Sequence, residues 1–312
     1  MDGRARVAVT GATGLIGRAL VESLTAEGHA VTRILRRPPD PGADPDGTDH
    51  VLWDPATGHI DAAGLEGVDA VVHLAGEPIA SHRWTDEQKA RIRDSRVAGT
   101  RLLARTLARL DQPPRVLVSG SAIGVYGDRG DDPIDETAPP GDDFLAQVCV
   151  EWEGATEEAA DAGIRVAHAR TGIVLSGRGG ALARMLPLFR LGLGGRLGSG
   201  RQWWSWISLT DEVAALRWLV DHDVAGPVNL TAPRPVTNAE FTRTLARVLR
   251  RPALVPAPRF ALGLVLGREL ADALLFTSAR VLPVRLAESG FSFAHDDLAT
   301  ALAAELGRPV PT

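Results

Sequence analysis

The segment Thr10-Gly11-Ala12-Thr13-Gly14-Leu15-Ile16-Gly17 constrains this chain more than any other. It follows a buried-strand pattern, Val7-Ala8-Val9, and opens a helical pattern in which Leu15, Ile16, Ala19, Leu20 and Leu24 share one face. A glycine-rich turn between a strand and a helix presents bare backbone N–H groups and a positive helix end, which suits a pyrophosphate. In that reading Gly11 takes the tight turn, Gly14 admits the phosphate closely and Gly17 lets the helix pack on the strand. Thr13, Leu15 and Ile16 supply the adjoining cofactor contacts. The alternative is a simple strand–turn–helix connection, but the flanking strand and helix favour a dinucleotide site.

The second strand pattern, Ala30 to Leu35, points to which dinucleotide. An NAD site places an acidic residue at its end, on the ribose 2′-hydroxyl. This chain has Arg36-Arg37 there. Two guanidiniums would hold the 2′-phosphate of NADP(H) through charge-assisted hydrogen bonds. The bland alternative is a solvated charge pair.

Strand and helix signals alternate through the first two-thirds, which predicts an α/β fold: a Rossmann-type doubly wound parallel sheet. Further strands are expected at 50–53, 70–75, 116–119, 165–170 and 227–230, with a surface loop at 38–47. Thr85-Asp86-Glu87-Gln88 and Thr237-Asn238-Ala239-Glu240 are capping boxes that start helices. Other helices are expected around 151–162 and, capped by Thr210-Asp211, to about Val220. The character changes after Leu175, where glycine and tryptophan become frequent, and the chain from Pro252 is mostly helical. A nucleotide domain over 1–175 and 208–235 is expected, with a small, mostly helical substrate domain over 176–207 and 236–312.

A length of 312 residues allows a large core, and a net charge of −5 argues against nucleic acid as a main partner. The single cysteine, Cys149, excludes an internal disulfide and a cysteine-based zinc site, and the scattered histidines suggest no metal. The chain enters its first strand without a charged-then-apolar leader, and the apolar stretch 260–276 carries Arg268, Glu269 and Asp272. No membrane partner and a cytoplasmic location are therefore expected. A monomer and a homodimer are both compatible with the pattern.

The chain resembles the extended short-chain dehydrogenase/reductase superfamily. The likeness rests on Gly11 to Gly17, on His73-Leu74-Ala75-Gly76, and on Ser121-Ala122-Ile123-Gly124-Val125-Tyr126-Gly127, which has one residue more than the usual spacing. More narrowly it is similar to atypical epimerase-family proteins with a C-terminal domain of unknown function. Trp53-Asp54-Pro55, Leu74 to Ile79, Ser95-Arg96, Ser119 to Ala122, Arg170 to Leu175 and Gly194 to Gln202 carry that match over nearly the whole chain. The family's Trp-Ile-His reads Trp206-Ile207-Ser208 here, which leaves that imidazole without a counterpart. The resemblance implies an NADP(H)-type cofactor and an epimerase-like fold, without a substrate. Leu74, Ala75, Gly76, Ser119 and Gly172 then fall among the cofactor contacts. Asp54 would contact the adenine, the alternative being a turn-initiating Asp-Pro.

Hydride chemistry in that superfamily uses a tyrosine and a lysine four residues later. This chain has one tyrosine, Tyr126, and one lysine, Lys89. Where the pair should fall the sequence reads Phe144-Leu145-Ala146-Gln147-Val148, so the usual dyad is missing. Three readings remain. Tyr126 or Ser121 acts on a substrate oxygen, the alternatives being a structural tyrosine and a local turn hydroxyl. Glu77, just past the fourth strand, supplies acid or base, or else makes a capping or ribose contact. In the last reading the fold binds NADPH as a sensor or scaffold. Lys89, beside Arg91 and Arg93, reads as a solvated helix face. Arg196 and Arg201, in a glycine-rich stretch, could bind an anionic end of a small-molecule substrate, and Trp204 could stack on its ring.

Overall fold

The computed structural model describes residues 4–38 and 49–311. The loop expected at 38–47 lies outside the described residues except for Pro38. The central sheet contains β1 (Arg6–Thr10), β2 (Ala30–Leu35), β3 (Asp49–Asp54), β4 (His59–Ile60), β5 (Ala70–His73), β6 (Val116–Ala122), β8 (Arg165–Thr171) and β12 (Gly226–Leu230). Their order is β12-β8-β6-β5-β1-β2-β3-β4, and every pairing is parallel except the β3–β4 hairpin. The chain winds outward from β1 to β3 and then returns to build the other half from β5. The switch point thus lies between β1 and β5, where open α/β sheets bind their ligands.

Alternation along the strands builds two cores. Val7, Val9, Val72 and Val118 face α1 (Leu15–Ala26) and α6 (Leu209–Asp221). Ala8, Ile34, Val71 and Leu117 face α2 (Asp86–Leu107) with Leu103 and Leu107. Thr85 and Thr237 cap α2 and α7 (Asn238–Leu249) by accepting from the Gln88 and Glu240 amides, as the capping boxes predict.

Three local expectations need correction. The strand expected to reach Ala75 stops at His73, because the Leu74 and Ala75 amides both donate to Thr10 Oγ1. The helix expected from Glu151 starts earlier, as α3 (Phe144–Gly154), where the Asp143 carboxylate caps the Ala146 amide; α4 (Glu157–Asp161) follows. Ser208, rather than Thr210, caps α6 by accepting from the Asp211 amide.

The remaining chain adds short strand pairs. They are β14 (Arg280–Val281) on β7 (Pro133–Ile134), β11 (Trp206–Ser208) on β9 (Ile173–Leu175) and β10 (Trp203–Trp204) on β13 (Val236–Thr237). A further core joins Leu182 and Leu186 of α5 (Gly180–Arg190), Trp204, Trp206, Phe241, Leu245 and Leu302 of α11 (Leu298–Glu305). The segment carrying α8 (Arg259–Leu266) and α9 (Arg268–Ala271) lies outside these cores, and α10 (Val284–Glu288) packs on β12. Among the described residues no helix is long and apolar enough to cross a membrane.

Candidate functional site

The glycine turn joins β1 to α1 at the switch point. Gly11 has φ +65°, and a Cβ there would lie 2.8 Å from the Leu74 carbonyl. A Cβ on Gly17 would lie 2.2 Å from the Gly11 carbonyl oxygen, so the close approach at Gly17 is to the turn itself rather than to the strand. Gly14 is the N-cap of α1 and offers no side-chain cap, and the first turn holds no acidic residue. The leading amides of the helix, from Leu15 onward, are left for a ligand. A cradle that a side chain would fill, ending in an uncapped helix, fits a pyrophosphate.

Parallel pairing of Thr10 with Ile34 brings Arg36 and Arg37 to the same edge of the sheet. Both are exposed, and no ion pair among the described residues engages either. Asp54 ends β3 and accepts from the Ala56 amide at 3.0 Å. That bond, with the Thr57 hydroxyl, holds its carboxyl below the usual range. It is built as the start of an Asp-Pro turn.

On the other side of the turn, Leu74, Ala75, Gly76 and Glu77 leave β5. The Ser95–Arg96 pair anchors this loop: the Glu77 amide donates to Ser95 Oγ at 3.0 Å and Arg96 Nη1 donates to the Glu77 carbonyl at 3.0 Å. The Glu77 side chain is half-buried, and Gln88 Nε2 lies 3.4 Å from its Oε1. Beneath the loop His73 is fully buried between Thr10 and Thr100, and desolvation pushes its imidazole down to about 4.

Both hydroxyl candidates, Tyr126 and Ser121, are hydrogen-bonded to side chains within the protein. Tyr126 is 1% exposed. Its hydroxyl donates to Asn229 Oδ1 at 2.7 Å and accepts from Arg170 Nη1 at 2.9 Å. Ser121 donates to Glu153 Oε1 at 2.6 Å, and Arg170 grips both oxygens of that carboxylate at 2.8 Å. Burial alone would raise the Glu153 carboxyl, but the guanidinium and the Ser121 hydroxyl hold it below the usual range. Burial raises the Tyr126 phenol, with Arg170 opposing. These groups form one internal hydrogen-bonded network. Ser119 is also buried, inside β6, and its hydroxyl donates to the Gly120 carbonyl at 3.4 Å. At Gly172 a Cβ would lie 2.6 Å from the Ser205 carbonyl oxygen, so the glycine there serves strand packing.

Two cavities open beyond the carboxyl edge of the sheet. One, of about 520 Å³, lies between Trp84, Phe144 and Leu145 on one wall and Arg268, Asp272 and Phe276 on the other. The second, of about 450 Å³, is lined by Asp131, Ser199, Arg201, Gln202 and Phe276, and Arg259 borders both. Arg201 therefore reaches a cavity, whereas Arg196 is exposed away from both linings. Trp204 does not line either. It is 5% exposed and packs on Phe241 with centroids 5.0 Å apart. The strand alternation sends Trp203 the other way, where its indole donates to Asp131 at 3.0 Å. Sequence reading missed Trp84, Arg259 and Phe276, which carry no motif and meet only through the fold.

A match to the NAD dependent epimerase/dehydratase family spans residues 7–231, and a domain of unknown function matches residues 257–305. The chain is 45% identical over 304 residues to epimerase family protein Mb2239 of Mycobacterium bovis, covering 97% of this chain and 98% of that one. The crystal structure of human epimerase family protein SDR39U1 with NADPH superposes with a TM-score of 0.88 at 36% identity, over 97% of this chain and 99% of that one. A nucleoside-diphosphate sugar epimerase from Corynebacterium glutamicum gives a TM-score of 0.78 at 40% identity, over 98% of this chain and 59% of that one. With its glycine cradle at the switch point of a parallel sheet, the chain belongs to the NAD-dependent epimerase/dehydratase family.

Proposed function

We propose that this protein binds NADP(H) and acts as an oxidoreductase or epimerase-like enzyme on a small carbonyl or hydroxyl compound. The observation that carries the cofactor choice is the pairing of an uncapped glycine turn with two exposed arginines at the end of β2 that no ion pair among the described residues engages. The NADPH in the human SDR39U1 structure supports it. Gly11, Gly14 and Gly17 would cradle the pyrophosphate, Arg36 and Arg37 the 2′-phosphate, and Leu74 to Gly76 the far half. Bound there, the cofactor would supply hydride-transfer capacity. The cavities beside Phe144 and Arg201 would take a small, polar substrate, and a sugar-nucleotide-like compound suits their mixed aromatic and arginine lining.

A second reading, NADPH binding without turnover, is favoured by one observation: the Ser121 and Tyr126 hydroxyls are both committed to the Glu153–Arg170 network. One experiment separates the two. The fluorescence of protein-bound NADPH is followed with and without a panel of aldehydes, ketones and sugar nucleotides. Binding followed by oxidation with any panel member supports the oxidoreductase. Conversion of a sugar nucleotide without net oxidation supports the epimerase. Binding with neither supports the sensor, and no binding overturns both readings.

A further inference from the structure

The chain contains a single lysine among its 34 basic residues, and its side chain leaves α2 toward the cavity beyond β6. The Lys89 ammonium lies 5.3 Å from the Phe144 ring centroid and 6.0 Å from that of Trp84, two residues that line that cavity. Its partner is the carboxylate of Glu269, on α9. Lys89 is a quarter exposed and Glu269 about half. The sequence alone reads Lys89 as part of a solvated face with Arg91 and Arg93, yet the fold turns it inward against two aromatic rings.

Glu269 comes from α9, which buries Leu270 and Ala271, but the helix before it lies on the surface. Helix α8 buries none of its side chains, and Phe260, Leu264 and Val265 are exposed. Much of its attachment is polar. Arg83 donates to the Leu264 and Val265 carbonyls, and Lys89 pairs with Glu269. The Lys89–Glu269 pair is partly open to solvent, and such a pair is weak enough for another oxygen to take the carboxylate's place on the ammonium.

The direction of a bound dinucleotide follows from the sheet order. Arg36 and Arg37 mark the β2 side of the Gly11 turn, whereas Leu74 to Gly76 and β6 lie on the opposite side. Leu145 approaches the turn after β6 closely: a Cβ on Gly124 would lie 3.6 Å from Leu145 Cβ. A dinucleotide anchored at its 2′-phosphate by the arginines and crossing the turn at Gly11 points its far half toward Phe144 and Lys89. That half carries hydroxyl and carboxamide oxygens, which are acceptors for an ammonium.

We propose that Lys89 is a ligand-binding cation of this site, bonding an oxygen of the nicotinamide half of the cofactor in exchange for Glu269. The inference rests on the reading that the protein binds NADPH. Because the chain has one lysine, amine acylation read by peptide mass spectrometry reports on this side chain alone. The labelling rate is measured without ligand, with saturating NADPH, and with saturating 2′,5′-ADP, which fills only the adenine half. Parallel fluorescence and calorimetric titrations establish that each ligand is bound.

NADPH is expected to slow labelling of Lys89 at least about fivefold while 2′,5′-ADP leaves it unchanged. Bound NADPH without protection overturns the inference and leaves the cofactor reading standing. Equal protection by both ligands also overturns it, because 2′,5′-ADP cannot reach the cavity. Failure of NADPH to bind removes the cofactor reading and this inference with it. The same comparison on Glu269→Gln, whose amine is released from its partner, serves where the wild-type amine labels slowly. Lys89→Met keeps an apolar stem against Trp84 and Phe144. It is expected to weaken NADPH about tenfold, the loss of one charge-assisted hydrogen bond, with 2′,5′-ADP affinity unchanged. Equal weakening of both ligands contradicts the assignment.

Discussion

Arg170 donates one guanidinium nitrogen to the Tyr126 hydroxyl at 2.9 Å and turns its other two nitrogens to Glu153. The contact locks the only tyrosine of the chain into a network that spans β6, α3, β8 and β12 and continues through Asn229 to the Leu282 carbonyl. A phenol in this position braces the sheet against the segment carrying β14.

Tyr126→Phe is accordingly expected to act on stability. It strands Asn229 Oδ1 and one Arg170 nitrogen in a buried setting, at a cost of about 1–3 kcal/mol. Denaturant unfolding should show the loss, with NADPH affinity unchanged within about twofold. Unaltered stability together with lost NADPH binding would place Tyr126 in the site instead.

Gly17→Ala tests the cradle. The added carbon would lie 2.2 Å from the Gly11 carbonyl oxygen, so backbone must move. We expect dinucleotide binding to be lost in titration and the melting temperature to drop. Wild-type affinity in this variant would show that the turn does not hold the pyrophosphate.

A pH effect follows from two buried groups. Glu212 is fully buried, and desolvation pushes its carboxyl up to about 8 from 4.5, partly opposed by the Thr171 hydroxyl. Between those values the folded protein holds a proton that the unfolded chain has released, so stability falls as pH rises, by at most about 1.4 kcal/mol per unit. His73 works oppositely between about 4 and 6.5, where only the unfolded imidazole is protonated. Above about 6.5 the His73 contribution is complete, and the Glu212 loss continues up to about 8. Melting temperature should fall over that upper interval in the wild type and stay level in Glu212→Gln. A parallel fall in both proteins would exclude Glu212 as the cause.

Cys149 is buried on α3, and desolvation pushes its thiol up to about 12. A thiol reagent should label it only as fast as the protein unfolds. Rapid labelling of the native protein at neutral pH would contradict its placement.

Much of this architecture was legible in the sequence. Val7-Ala8-Val9 followed by the Gly11–Gly17 turn encodes β1 and α1 through local rules alone, and Thr85 and Thr237 announce their helices by cap chemistry. Trp203 and Trp204 show where such reading stops. Alternation correctly sends them to opposite faces, but only the fold decides which face meets a cavity, and it is Trp203 that turns toward Asp131. Ser208 is similar. The structure brings the His295 imidazole to 3.0 Å from its hydroxyl from a distant segment. Contacts of that kind have no local signature. The same holds for Lys89, whose inward turn depends on Phe144 and Glu269.

The most direct test of the account is the affinity for NADPH and for NADH, measured in the wild type and in the double variant Arg36→Ala, Arg37→Ala. Wild-type protein should prefer NADPH, and the variant should lose about 10- to 100-fold in NADPH affinity while NADH binding changes little. Equal weakening of both dinucleotides, or no change in either, would contradict a 2′-phosphate site at the end of β2.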